Sequence, residues 1–355
     1  MDEKNYKTYA NLITSYMGNL WLNNDLVDRL AMLQQTETDN PGINQIAIEK
    51  DWWVTVTLKA LFKTDCHKSL IFKGGTSLSK GFNIIKRFSE DIDLAISHSF
   101  FGIDKTSKSQ RDKLRKTARK YIHETLSNQL DEQLRDMDVT GYNIENETQI
   151  QDKSGVWHPI DSDKDPTVIY LHYPSIIENT ISYIPPRVKI EISCLSMDEP
   201  TEIREIQSLI GASFKDEDTD SESKIRTVIP TRTFLEKMFL LAEEFQKESP
   251  RSVRMTRHLY DLEKLMDTEY GRNALSDRIL YDAIVEHRKA YYALKYVNYD
   301  LLNPQNINFM IPRSQMEAWK ADYADMRRFF IYGESLEFDA LTQRIEELHT
   351  RVRNL

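Results

Sequence analysis

Asp91 and Asp93 stand one residue apart in Asp91-Ile92-Asp93-Leu94-Ala95-Ile96, a run that otherwise reads as a buried strand. Alternation along a strand sends Ile92, Leu94 and Ile96 to one face and both carboxylates to the other. Two like charges side by side repel. A hard divalent cation such as Mg²⁺ relieves that repulsion when it takes one or two carboxylates together with substrate phosphates. Upstream lies Gly74-Gly75-Thr76-Ser77. The glycines let the backbone turn sharply and approach a ligand closely. Thr76 and Ser77 fall where a helix would begin, with hydroxyls and N–H groups that suit a phosphate. Alone, an Asp-x-Asp pair reads more often as a solvated face or a loop end than as a metal site. A phosphate-cradling turn followed by a carboxylate pair is the combination that phosphoryl or nucleotidyl transfer requires.

Several elements must position these groups. Leu70-Ile71-Phe72 predicts a short buried strand ending at the glycines. A short helix follows, with Leu78, Phe82 and Ile85 on its apolar face. Ser89-Glu90 then leads into the Asp-x-Asp strand. Lys80 and Arg87 are candidate auxiliary phosphate contacts. Ser89 is grouped with them, and a phosphate on it would put about two negative charges beside Asp91. Farther on, Val188, Ile190 and Ile192 alternate with Lys189, Glu191 and Ser193, which predicts another strand. A glutamate in its middle is costly unless paired, metal-bound or facing solvent. After Pro230, Thr233-Phe234-Leu235-Glu236 reads as a capping box opening a helix with a Phe234, Met238, Leu241, Phe245 stripe and Lys237 beside it. Arg251, Arg254, Arg257 and His258 cluster, and Asp261 sits among Leu259, Leu262 and Leu265. Arg257 and Asp261 are spaced for an ion pair on one helix face. For His258 a structural role is expected over catalysis.

The order Gly-Gly-Thr-Ser, helix, Asp-Ile-Asp-Leu resembles the DNA polymerase β-like nucleotidyltransferase superfamily. Phe72–Leu94 is similar to its AbiEii/AbiGii branch, the nucleotidyltransferase-like toxins of bacterial toxin–antitoxin and phage-defence systems. The likeness is most specific over 70–97, weaker over 187–195 and 231–265, and absent after about 275. It implies an NTP substrate and two Mg²⁺ ions held by Asp91, Asp93 and a third carboxylate from a neighbouring strand, for which Glu191 is the candidate. It implies triphosphate binding for Lys237 and an active-site role for Asp261, orienting the lysine or the nucleotide. It also implies a tRNA 3′ end as acceptor, with consequent block of translation, and a separately encoded antitoxin. Transfer of NMP onto a protein hydroxyl and a non-catalytic nucleotide-binding module are the alternatives.

The 355 residues are 40% hydrophobic and 29% charged, which suits a soluble α/β protein with a sizeable core. A net charge of −9 supplies no general attraction to nucleic acid, so RNA binding needs a local patch. Lys105–Lys120 provides one candidate, with Lys113, Arg115, Lys116 and Arg119. Arg251, Arg254 and Arg257 provide another. The same charges read otherwise as a solvated helix face. Two distant cysteines, no signal-like N-terminus and no apolar run of membrane length predict a cytoplasmic chain.

Residues 1–40 predict two helices, and 43–62 a long one in which Trp52 and Trp53 pack in a core rather than stack on bases. Residues 131–186 predict a sheet extension with loops. The acidic run Lys215–Ser223 reads as a loop or boundary. From Ser276 the chain is helical, and its last stripe, Phe338, Leu341, Ile345 and Leu348, either packs in a bundle or docks a partner. The expected architecture is a small mixed sheet in a nucleotidyltransferase core over 1–230, with a helical domain over 231–355 that lends residues to the cleft.

Overall fold

A computed structural model of the chain describes residues 20–103, 107–152, 154–178, 184–196 and 200–355. The first helix expected within 1–40 lies outside them. Nine strands are present among the described residues: β1 (Leu70–Lys73), β2 (Asp91–Ile96), β3 (Asn143–Asn146), β4 (Gln149–Gln151), β5 (Trp157–Pro159), β6 (Thr167–His172), β7 (Arg187–Ser193), β8 (Thr201–Ile206) and β9 (Ser223–Val228). The chain divides into two compact units that interleave along the sequence. The first comprises Met1–Leu70, Glu90–Cys194 and Ile203–Ile225. The second comprises Ile71–Ser89, Leu195–Glu202 and Arg226–Leu355.

In the first unit four strands lie in the order β3-β6-β7-β2. β2 and β7 are parallel, with Asp91 beside Lys189 and Asp93 beside Glu191. β6 runs antiparallel to β7, and β3 antiparallel to β6, so the sheet is mixed. Among the described residues five α-helices belong to this unit: α1 (Leu26–Asp39), α2 (Gln45–Leu61), α3 (Lys108–Tyr121), α4 (Ser127–Asp136) and α5 (Leu209–Ser213). α3 passes through one wide π turn into α4, so helix continues to Asp136, past the point where the polar composition suggested loops.

α2 is the hub of this unit. Asn44 caps it by accepting from the Ala47 N–H at 2.9 Å. Every side of it is apolar or buried, the mark of a central helix rather than a surface one. Trp52 and Trp53 are 0% and 1% exposed and lie in a row of rings: Trp21 meets Trp52 edge-on at 5.2 Å, and Trp53 stacks on Tyr173 at 5.0 Å. They are core residues. The same helix buries three consecutive charged residues, and each has its own partner. Glu49 accepts from the Ser175 hydroxyl and the Ile176 N–H. Lys50 donates to Glu90 at 2.7 Å and to the Pro185 carbonyl. Asp51 accepts from the Leu209 N–H at the start of α5.

The acidic run 215–223 departs from the loop expected of it. Asp218 is fully buried and accepts from the Trp21 N–H at 2.9 Å, the Trp52 indole N–H at 2.8 Å and the Ser208 hydroxyl at 2.6 Å. Composition marked the run as solvated. One member is instead the acceptor that ties Trp21 and α2 to the start of α5.

Among the described residues the second unit has six α-helices of more than three residues: α6 (Pro230–Glu244), α7 (Thr256–Leu265), α8 (Glu269–Ala274), α9 (Arg278–His287), α10 (Met316–Phe329) and α11 (Phe338–Arg353). α6 starts three residues before the expected capping box. Ile229 is its N-cap, without a side-chain hydrogen bond, and Pro230 opens it. Proline suits that first position because its missing N–H has no intrahelical partner to lose. Phe234, Met238 and Leu241 are fully buried. On α11, Phe338, Leu341, Ile345, Leu348 and Val352 are all buried, so the stripe packs within the unit. No helix among the described residues is long and apolar enough to cross a membrane.

Candidate active site

The carboxylate face belongs to the first unit. Ile92, Leu94 and Ile96 are 0–1% exposed, whereas Asp91 and Asp93 on the alternate face are half-buried. Because β2 and β7 are parallel and in register, Lys189 and Glu191 emerge on that same face beside Asp91 and Asp93. The Glu191 carboxylate is in ion contact with the Lys189 ammonium. Burial lowers the Lys189 pKa, but Glu191 and then Asp91 outweigh it and the net shift is upward, so the lysine stays charged. Lys189 thereby compensates part of the negative charge gathered on this face. Among the described residues, no three His, Cys, Asp or Glu side chains are drawn together as a metal cage. The donor set nonetheless suits a hard cation: two partly exposed carboxylates on one strand face, with a third at the adjacent register position.

Lys50 and Glu90 hold the entry to β2. Both are buried, and their pair at 2.7 Å fixes the residue immediately before Asp91. Three adjacent charges inside a tryptophan-rich apolar helix were the available signal for this anchor, since each demands a partner.

The glycine turn belongs to the second unit. Gly74–Thr76 makes a single helical turn that widens into a π turn over Ser77–Gly81. The helix thus starts at Gly74, before Thr76, and is shorter than the apolar pattern suggested. Phe82 leaves it to meet Tyr270 edge-on, and Ile85 is buried beyond it. Gly74 adopts φ +79°, a left-handed conformation that favours glycine. Gly75 answers a different need. A Cβ there would lie 2.7 Å from Arg87 Nη2 and 3.0 Å from Ser89 Oγ. The Thr76 hydroxyl donates to Ser89 Oγ at 2.9 Å, and the Ser77 hydroxyl donates to the Gly74 carbonyl at 2.9 Å. Lys80 is half-buried within the π turn.

Arg87, Asp261 and Lys237 form one buried cluster in this unit. Arg87 Nε donates to Asp261 Oδ1 and Nη2 to Oδ2, both at 2.7 Å, a bidentate fork. Lys237 Nζ lies 2.8 Å from Oδ2. The segment carrying Arg87 is fixed by backbone bonds from Phe88 N–H to the Phe330 carbonyl and from Tyr332 N–H to the Lys86 carbonyl. Asp261 therefore spends both oxygens on Arg87 and Lys237 rather than on Arg257, the partner its helix spacing suggested.

Burial would raise the Asp261 pKa, but the Arg87 and Lys237 charges overcome it and hold the carboxyl well below its usual range. Burial lowers the Lys237 pKa, Asp261 opposing the fall and Arg87 adding to it. His258 is pushed well below the ordinary imidazole value by burial and then by Lys237 and Arg257, so its ring is neutral. Two cations share one carboxylate, and the surplus positive charge makes this cluster a place where an anion is favoured.

The basic residues separate into engaged and open groups. Arg115 pairs with Asp112, and Arg119 donates to the Glu147 carbonyl at 2.8 Å. Lys113 and Lys116 are exposed. Arg251 donates to Glu244 and Arg254 lies over the Phe330 ring at 5.7 Å, while Arg257 is half-buried.

The fold matches that of a nucleotidyltransferase toxin. MenT4 from Mycobacterium tuberculosis H37Rv, described as a nucleotidyltransferase toxin, superposes with a TM-score of 0.51 at 14% identity, over 92% of this chain and 89% of its own. No curated protein matches the chain in sequence. Residues 57–344 match the family described as nucleotidyl transferase AbiEii toxin of type IV toxin–antitoxin systems, and the chain belongs to that family. It is a nucleotidyltransferase, and membership implies an NTP substrate and a cognate antitoxin.

Proposed function

We propose that this toxin moves a nucleoside monophosphate from an NTP to an RNA acceptor, the 3′ end of tRNA, and so blocks translation in the cytoplasm. The observation that carries the reading is the register of β2 and β7, which puts Asp91, Asp93 and Glu191 on one face. Asp91 and Asp93, with Glu191, would hold two Mg²⁺ ions. When bound, such ions activate the attacking hydroxyl and neutralise the leaving pyrophosphate. The acceptor oxygen forms a bond to the α-phosphorus, and the bond from that phosphorus to the bridging α,β-oxygen breaks.

The chain's own groups have separate tasks. Backbone N–H groups of Gly74–Ser77 would hold the β- and γ-phosphates, with Lys80 near the end of the same turn. Lys237 would add positive charge toward the phosphates, kept in place by Asp261. Arg87 acts through Asp261, since its fork is spent there. Ser89 is a candidate regulatory position, because a phosphate on it would disturb both Thr76 and Gly75. The cognate antitoxin would restrain the activity, in keeping with phage defence.

The test uses the full-length toxin with Mg²⁺, each α-labelled NTP in turn, total tRNA and cell protein. Label is expected in tRNA, dependent on Asp91 and Asp93. Label in a protein band would overturn the acceptor, and no label anywhere would overturn the transfer reading. D91N and D93N should also lose Mn²⁺ binding by calorimetry while keeping the wild-type urea midpoint.

A further inference from the structure

The hairpin β4–β5 plays no part in the site described above, and it is unusual for a folded protein. All six of its strand residues are exposed. Ile150, Val156 and Trp157 are 47%, 52% and 61% exposed, an apolar tip open to solvent. An isolated two-stranded hairpin is marginal in water. This one is held by its turn instead. Asp152 Oδ1 accepts from the Ser154 and Val156 N–H groups at 2.8 and 3.0 Å, and Oδ2 lies 2.8 Å from His158 Nε2. Gln151 donates to the Gly155 carbonyl at 2.8 Å. The result is a pre-formed projection that presents an aromatic ring to solvent.

Pairing fixes what shares the ring's face. Gln151 is opposite Trp157 and Gln149 opposite Pro159, so Trp157, Pro159 and the two glutamines lie on one side, with Ile150 and His158 on the other. A flat ring between amides that donate and accept suits an unpaired base, which offers a π-face and hydrogen-bonding edges. The root of the hairpin is tied to the basic helix, since Arg119 on α3 donates to the Glu147 carbonyl just before β4. On the open side of α3, Lys108, Lys113 and Lys116 are exposed and make no ion pair among the described residues. An open concavity runs along them. Asp112 also lines it but is paired with Arg115, so in a chain of net charge −9 this local stripe of lysines complements a phosphate backbone.

We propose that β4–β5 is a stacking platform for unpaired RNA, with Trp157 as the ring and the α3 lysines as the phosphate track. The proposal rests on the RNA-acceptor reading and names the surface that would hold that acceptor. Charge favours RNA over a protein partner here, because Lys108, Lys113 and Lys116 make no ion pair among the described residues, while Asp112 in the same concavity is spent on Arg115.

The five tryptophans make a direct test possible. Trp21, Trp52, Trp53 and Trp319 are 0–1% exposed, so the iodide-quenchable emission of the full-length toxin belongs to Trp157. The probe is a 12-nucleotide single-stranded RNA ending in CCA, compared with an RNA duplex of equal length, both without NTP or metal. The single strand should shield the emission from iodide and bind more tightly than the duplex. W157A should weaken binding roughly 5- to 150-fold, the range seen for losing one base–aromatic stack, and W157F should restore most of it. K113E/K116E should reduce the salt slope by about 1.4, at about 0.7 per phosphate contact on a single strand. The buried tryptophans report folding in every variant. Unshielded emission, a preference for duplex, or wild-type affinity in W157A would overturn the proposal, as would shielding by the cognate antitoxin but not by RNA. Labelled tRNA with Trp157 unshielded would leave the transfer reading standing and this one refuted. Shielding with no labelled tRNA would do the reverse.

Discussion

Asp261→Asn removes the one anion from a buried cluster of two cations. Arg87 is 4% exposed and Asp261 0%, so water does little to screen the loss. Breaking a buried pair by deleting one partner costs about 3–5 kcal/mol, chiefly through the charge left behind. Here two charges are left. With a urea slope of about 1–3 kcal/mol per molar, the midpoint should fall by about 2 M at pH 7. The pH dependence has a definite sign. Asp261's folded pKa is depressed, so its stabilisation is present above the unfolded carboxyl value, about 4, and is lost as pH falls through the folded value. The gap between wild type and D261N should therefore close in acid. Lys237 works at the other end. Its folded pKa is lowered, so between that value and the unfolded one, about 10, the unfolded chain binds more protons, and stability contributed by this residue rises with pH across that window. D261N removes the charge that opposes this lowering, so the variant should recover part of its deficit toward alkaline pH. Arg87 stays charged, and the recovery stops short. K237M should cost less than D261N because the Arg87 fork survives, and D261N/K237M should be less damaging than the sum of its parts. Urea titrations from pH 3 to 9.5 measure all of this. An unchanged midpoint at pH 7, or a gap of constant size down to pH 3, would refute the argument.

Other perturbations follow from single contacts. G75A places a methyl 2.7 Å from Arg87 Nη2 and should cost about 1–3 kcal/mol by overpacking, read as a lower urea midpoint; wild-type stability would show that Arg87 can move freely. D218A leaves the Trp21 N–H, the Trp52 indole and the Ser208 hydroxyl without their charged acceptor. A loss of about 2–4 kcal/mol is expected from hydrogen bonds of this kind, with altered near-ultraviolet circular dichroism from the tryptophans. K50M strands Glu90 in the core and should cost about 3–5 kcal/mol, most of which K50M/E90Q should restore; additive costs would show that the two residues act independently.

Local pattern made the strand face of Asp91 and Asp93 legible, because alternation is a property of neighbours in sequence. The strand carrying Glu191 was legible for the same reason, and membership of the family confirms the class of enzyme that the Gly-Gly and Asp-x-Asp order suggested. Partnerships across long separations were not. Arg87 reads as a free cation near a phosphate turn until Asp261, 174 residues on, takes its fork. Lys189 and Glu191 were visible as neighbours on β7, but nothing in the sequence says that they contact each other rather than solvent. Asp218 was hidden by company, since a run of acidic residues averages to a solvated loop while one member can still be buried by three donors. Trp157 carried no signal at all, because exposure depends on what the fold leaves uncovered.

The separation of Arg87 from Asp261 also has a meaning in time. A ribosome adding about 5–20 residues per second needs roughly 10–35 s to travel the 174 residues between them. Throughout that interval the guanidinium that crowds Gly75 has no carboxylate to hold it. The turn cannot reach its final contacts before most of the chain exists. A toxin assembled in this order carries its own delay, and a fragment released before Asp261 would lack the anchor for its glycine turn.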